Sequence, residues 1–377
     1  MGQHELAIFL FIANPRNRTM KEIELEITLD KSEKTYASGQ KITGELKAVI
    51  HEEWQCDALE LFLGVNGFSE SKEKAQNFRL KITDDRVKKL LYQGQWNPGR
   101  YTYPFEIDVP DGPFSYKGSL IELSWYLKAE ARPSKGESIS SEIELTVVPG
   151  TVMPEGNSRK KSAEVVYKES PRGSLGCLLV SLSLFLAGVF AVIKTYQSAN
   201  DTVMGFAVFF LLLSLVFITF NVYALMVSKR INMAEVRIGS GVVSPGAIIP
   251  VNLTFQVNKS IELKEVRATL TGREEAGNVG IRASRKTYRK VLYEKKHELQ
   301  LPVKQVPAGV PIGVRGEISI PPDAPPSFTL ANSLGDGIKL KWIVEVRIEM
   351  GKWPDWFYAE EITINPIYCR TESFFAG

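Results

Sequence analysis

The chain has 377 residues, 44% hydrophobic and 24% charged, which is enough for two sizeable cores and long for one. Its formal net charge of +3 excludes nucleic acid as a partner of the whole surface, so only a local patch could recruit one. Cys56, Cys177 and Cys369 lie far apart without a CxxC pair, so neither a disulfide framework nor a zinc site is suggested, which fits a reducing compartment.

Residues 1–19 hold an apolar stretch too short to span a bilayer, and Leu6 stands where N-myristoylation requires Ser or Thr. They are expected to be an N-terminal extension that adds no structure. Residues 20–150 alternate apolar and polar positions. In EIELEITL (22–29), Ile23, Leu25, Ile27 and Leu29 face one way while Glu22, Glu24, Glu26 and Thr28 face the other, the pattern of a half-buried strand. Ile121, Leu123, Trp125, Leu127 and Ala129 repeat it. Gly, Pro and Asn punctuate the gaps, as in NPG (97–99), so short strands separated by turns predict a first β-sandwich.

A basic linker is expected over 151–172. Two uncharged runs follow, 173–193 (GSLGCLLVSLSLFLAGVFAVI) and 202–228, joined by a short turn at 194–201. Each has the roughly 20 apolar residues needed to cross about 30 Å of hydrocarbon, so a two-helix transmembrane hairpin with two spans of the bilayer is predicted. Arg159, Lys160, Lys161, Lys168 and Arg172 flank the first run and Lys229, Arg230 and Arg237 the second, against Lys194 alone in the turn. That bias places both β-domains on the cytoplasmic side of an integral membrane protein. The triplets at Asn200, Asn252 and Asn258 are discounted as glycosylation signals. Asn221, polar within the second run, is expected to hydrogen-bond across the hairpin or between protomers.

Alternation returns over 232–366, at Val251, Leu253, Phe255 and Val257 and again at Ile338, Leu340, Trp342, Val344, Val346 and Ile348. A second β-sandwich is predicted there, with 367–377 as a C-terminal tail. Three blocks of the first half recur in the same order in the second. YASGQKITGELKAVI is answered by VSPGAIIPVNLTFQV, the Trp125 strand by the Trp342 strand, and EIELTVVP by EITINP. The step from Trp125 to Pro149 equals that from Trp342 to Pro366, and Gly39 is matched by Gly246. The chain reads as an internal duplication.

Tyr36, Gly39, Ile42, Gly44 and Leu46 form a Y-x-x-G-x-x-I-x-G-x-L opening, and Tyr103, Pro104, Phe105, Ile107, Val109 and Pro110 a later Y-P-F-x-I-x-V-P. Pro325, Pro326, Ser327 and Phe328 supply a PPSF turn in the second half. Together these residues resemble the arrestin family, over about 20–150 and more weakly 232–366. The resemblance implies two tandem arrestin-like, immunoglobulin-like sandwiches acting as an adaptor that binds other proteins. The tail IYCRTESFFAG lacks the PPxY or long acidic extension found in many family members, and the family's phosphate-sensing charges find no matching residues here.

One basic segment stands out. Arg282, Arg285, Lys286, Arg289, Lys290, Lys295 and Lys296 crowd IRASRKTYRKVLYEKK (281–296) against Glu294 alone. Beside a membrane anchor they are candidates for contact with anionic lipid headgroups, each cation contributing about 1 kcal/mol. A solvated strand edge, where lysine discourages edge-to-edge pairing, stands as an equal alternative to the lipid role, and nucleic acid is not expected. The histidines His4, His51 and His297 sit in no nucleophile, metal or phosphate-cradling motif, so no catalytic residue, cofactor or metal is expected. His51, Glu52, Glu53 and Cys56 cluster in HEEWQC, where alternation predicts a solvated turn. The function expected is therefore a non-enzymatic, membrane-anchored adaptor or scaffold that binds an unknown protein partner at the cytoplasmic face. The alternative is a structural or regulatory subunit recognised through its transmembrane hairpin.

Overall fold

A computed structural model describes residues 23–71, 78–134, 136–150, 164–168, 182–190, 192–194, 208–209, 211–219, 222, 230–278, 287–333 and 335–366. The first strands in chain order are β1 (Ile23–Leu29), β2 (Thr35–Ala37), β3 (Lys41–Ile50), β4 (Trp54–Ser71), β5 (Phe78–Trp96), β6 (Gly99–Asp108), β7 (Tyr116–Lys117), β8 (Ile121–Pro133) and β9 (Ile139–Val148). They form an antiparallel sheet β1-β3-β6 and a sheet β2-β9-β8-β4-β5, with β7 added to β8.

The later strands are β10 (Val165–Lys168), β11 (Ile231–Ile238), β12 (Val242–Val243), β13 (Ile248–Val257), β14 (Ile261–Glu262), β15 (Glu265–Asn278), β16 (Thr287–Glu298), β17 (Gln305–Val306), β18 (Ile312–Ser319), β19 (Phe328–Ala331), β20 (Asp336–Glu349) and β21 (Trp356–Ile364). They form β10-β11-β13-β18, then β12-β21-β20-β15-β16 with β19 on β20, and a small pair β14-β17. The molecule is all-β in its sheets and sandwich-like in their layering. β10 lies inside the stretch read as a linker and pairs with β11 from Val165↔Ile238 to Lys168↔Glu235.

Two compact units emerge. The first holds 1–66, 83–115 and 124–148; the second holds 67–82, 116–123 and 149–377. Alternation produces the core of each. In the first, Ile42, Leu46, Leu59, Leu61, Leu63 and Trp125 are wholly or almost wholly buried; in the second, Val251, Leu253, Phe255, Val257, Trp342 and Val344 are. Burying such a side chain contributes roughly 1.5–3 kcal/mol each, the main term opposing chain entropy.

The two strand sets share one plan down to single hydrogen bonds. β2 runs parallel to β9, and β12 parallel to β21. The Trp125 indole donates to the Pro113 carbonyl at 2.8 Å and the Trp342 indole to the Pro325 carbonyl at 3.1 Å. The Ser115 hydroxyl accepts from the Val147 amide at 2.9 Å, as the Ser327 hydroxyl does from Ile364 at 3.0 Å. Gly39 and Gly246 hold φ of 78° and 77°, where a Cβ is strained, so the turn before β3 and before β13 demands glycine.

The centre of the chain corrects the membrane expectation. No helix among the described residues is long and apolar enough to cross a membrane. Described helical backbone runs over 182–190 and 211–219, with shorter pieces at 192–194, 208–209 and 222. Composition met the length requirement there; helical extent among the described residues does not. The two-span integral localisation, and the cytoplasmic placement of both domains derived from it, are therefore overturned. Gly188 sits against Leu211, where an added Cβ would meet the Leu211 Cα at 3.6 Å. Asn221, residues 195–201 of the turn, the extension 1–19 and the tail 367–377 lie outside the described residues.

Candidate functional site

β15 is the central strand of the site. It pairs antiparallel with β20 on one side, from Glu265↔Glu349 to Asn278↔Asp336, and with β16 on the other, from Arg267↔Glu298 to Gly277↔Thr287. Its alternation puts Val266, Ala268, Leu270 and Gly272 on the face shared with Trp342 and Val344. Two consecutive acids then break the pattern, one on each face, and both are buried: Glu274 and Glu275.

Glu274 is fully buried on the core side, where an unpartnered carboxylate would be costly. Four donors converge on it from one short segment. Tyr116 Oη lies at 2.7 Å and the Ser119 amide at 3.2 Å from Oε1; Ser119 Oγ at 3.0 Å and the Leu120 amide at 2.7 Å from Oε2. Gly118 is required there, because a Cβ would stand 1.6 Å from Oε1. Burial, and then the bond to Glu274, push the Tyr116 hydroxyl well above the usual tyrosine range.

Glu275 faces the other way, only 6% exposed at its side chain, and gathers Arg273 at 3.1 Å, Arg289 at 3.2 Å and Lys341 at 2.9 Å. The first unit uses a similar device: buried Glu60 on β4 pairs with Lys88 on β5 and Arg132 on β8. A central strand is thus tied to both neighbours by one buried acid. Such a group is structural, since removing one partner strands a charge.

β16 is the terminal strand of its sheet, and its far side carries no strand among the described residues. Of the basic segment expected to touch lipid, Arg282, Arg285 and Lys286 lie outside the described residues. Arg289 is committed to Glu275. Lys290, Lys295 and Lys296 are exposed, and among the described residues no acid pairs with them. Between them Val291 and Leu292 are exposed to 50% and 36%. The register shift between Gly272 and Arg273 marks a bulge at Leu292. Lys290 therefore stands opposite Glu274 and Lys295 opposite Leu270, placing both on one face despite their odd spacing. Glu294, Lys296 and Glu298 share the other face, where charges alternate in sign. At the start of the strand Tyr288 stacks on Phe78, centroids 4.3 Å apart.

Elsewhere, His51, Glu52 and Glu53 are exposed in the bend between β3 and β4. Cys56 is buried within β4, its thiol pushed up to about 11 chiefly by burial, so it is held protonated and unreactive. Burial and then Lys295 lower the pKa of His297 on β16. Among the described residues no three potential metal ligands come together. The buried Glu274 and Glu275 escaped sequence reasoning, although paired acids inside an otherwise alternating strand were a visible signal. No known family model matches the chain, and no curated protein matches it.

Proposed function

We propose that this chain is a non-enzymatic interaction scaffold built from two arrestin-like sandwiches, which binds another protein through a sheet edge that no strand covers among the described residues. The observation that carries the reading is β16: a terminal strand whose exposed Val291 and Leu292 lie between lysines without acid partners among the described residues. Exposed apolar side chains framed by charge are what a partner-binding edge offers. The arrestin-like part of the reading is supported by the motif residues Tyr36 to Leu46 and Tyr103 to Pro110, and by the strand plan common to both halves.

The test is site-specific photo-crosslinking in cells. A photoreactive residue at position 291 should give one discrete protein adduct, and the same residue at exposed Phe357 on β21 should not. Equal adducts from both positions, or none from either, would remove the scaffold reading.

A further inference from the structure

We propose that β16 takes an extended acidic peptide as an added strand along its open edge. The inference rests on the scaffold reading above and names the chemical class of the partner. Its first basis is the backbone. β16 spends one side of its ladder on β15, from Arg267↔Glu298 to Gly277↔Thr287, and a terminal strand presents further amide and carbonyl groups on its other side. Those groups select another main chain, and β-augmentation supplies one.

The second basis is charge placement. The bulge at Leu292 brings Lys290 and Lys295 onto the same face, with Tyr293 between them, and neither has an acid partner among the described residues. On the opposite face Glu294, Lys296 and Glu298 compensate one another in sign. The edge is therefore cationic on one face only. An incoming strand is matched when it carries two carboxylates on that face about four residues apart, with an apolar residue midway, since side chains on one face recur every second residue. The sequence pattern is acid-x-apolar-x-acid.

The same placement disfavours other occupants. A second copy pairing edge to edge in the register that opposes residue 290 to residue 295 would set lysine against lysine, and like charges directly opposed are destabilising. A lipid surface offers phosphate charge but no main-chain donors or acceptors, and it leaves the ladder groups of the edge unmatched.

The experiment measures fluorescence anisotropy of a labelled peptide containing Glu-Thr-Val-Thr-Glu against the full chain. Binding is expected, with at least a tenfold loss in the K290E/K295E variant and recovery when that variant meets the Lys-Thr-Val-Thr-Lys peptide. Methylating alternate peptide amides should also cost at least tenfold while leaving charge untouched. A control variant, K259E/K352E, should bind as the parent does, and circular dichroism checks the fold of each variant. Undiminished binding of the methylated peptide would reduce the site to charge attraction and overturn strand addition. Binding of phosphatidylserine vesicles through Lys290 and Lys295 without any peptide binding would assign the strand to lipid instead. Self-association abolished by K290E/K295E, in sedimentation of the chain alone, would make a second copy the occupant. If position 291 gives its cellular adduct and the acidic peptide fails to bind, the peptide inference falls and the scaffold reading stands.

Discussion

Glu274 shows how a residue that breaks a pattern can still be fully accommodated. A buried carboxylate is tolerated here because Tyr116, Ser119 and Leu120 direct four donors at it. Glu274→Ala leaves those donors unmatched and is expected to destabilise the second unit by about 3 kcal/mol, read from chemical denaturation; Glu274→Gln, which keeps the shape and one acceptor, should cost less. Indistinguishable midpoints for Ala and wild type would show the cradle to be idle. Tyr116 adds a pH signature. Its folded pKa is raised, so its contribution is fully present below the ordinary tyrosine value near 10 and is lost as pH rises beyond it. Tyr116→Phe should therefore flatten part of the alkaline loss of stability, and a parallel slope in both proteins would contradict this. The paired acids stood out in the sequence, but the donors of this cradle did not. Tyr116 and Glu274 are separated by 158 positions, and alternation says which face a side chain takes without saying what it meets there.

At the scale of the strand, alternation carried most of the information. The strand around Trp342 was readable because Ile338, Leu340, Trp342, Val344, Val346 and Ile348 recur every second residue, and all six are buried. β16 was not readable in that way, since an edge strand has little burial to impose a period and its bulge at Leu292 shifts the phase midway. The central runs 173–193 and 202–228 misled for a different reason. Apolar length is a requirement for spanning, but it does not by itself extend a helix. Within β16, His297 is held toward its neutral form by burial and by Lys295, with Ala268 opposite it. A lowered folded pKa means that the stabilisation is complete above the unfolded value near 6.5 and is lost as pH falls through it toward the folded value. The protection factors of the β15–β16 ladder amides, which correct for the intrinsic slowing of exchange at lower pH, should therefore fall between pH 7.5 and 5.5 more than global unfolding alone accounts for. His297→Gln should weaken that dependence, and an unchanged profile would exclude the histidine as its source.

For the whole molecule, the recurrence of one strand plan in the two halves has an energetic consequence. Each unit's core holds a fully or almost fully buried tryptophan at the matched position, Trp125 in the first and Trp342 in the second, and each indole donates to a proline carbonyl twelve or seventeen positions earlier. The matched spacing of the two tryptophans from their closing prolines was visible in the sequence, whereas the order of strands within the sheets was not, because backbone pairing leaves no direct mark on side-chain type. Separate cores predict separate losses. Removing an indole from a filled core costs about 3 to 5 kcal/mol, which for a domain of this size is a fall in its melting temperature of about ten degrees or more. Differential scanning calorimetry of Trp342→Ala should lower one component of the transition and leave the other in place, while Trp125→Ala should do the converse. Limited proteolysis of Trp342→Ala at a temperature between the two components should cut within 230–366 and spare 83–115. A single transition displaced equally by either substitution would show that the two units fold as one cooperative body, and that the duplicated strand plan does not divide the stability of the chain.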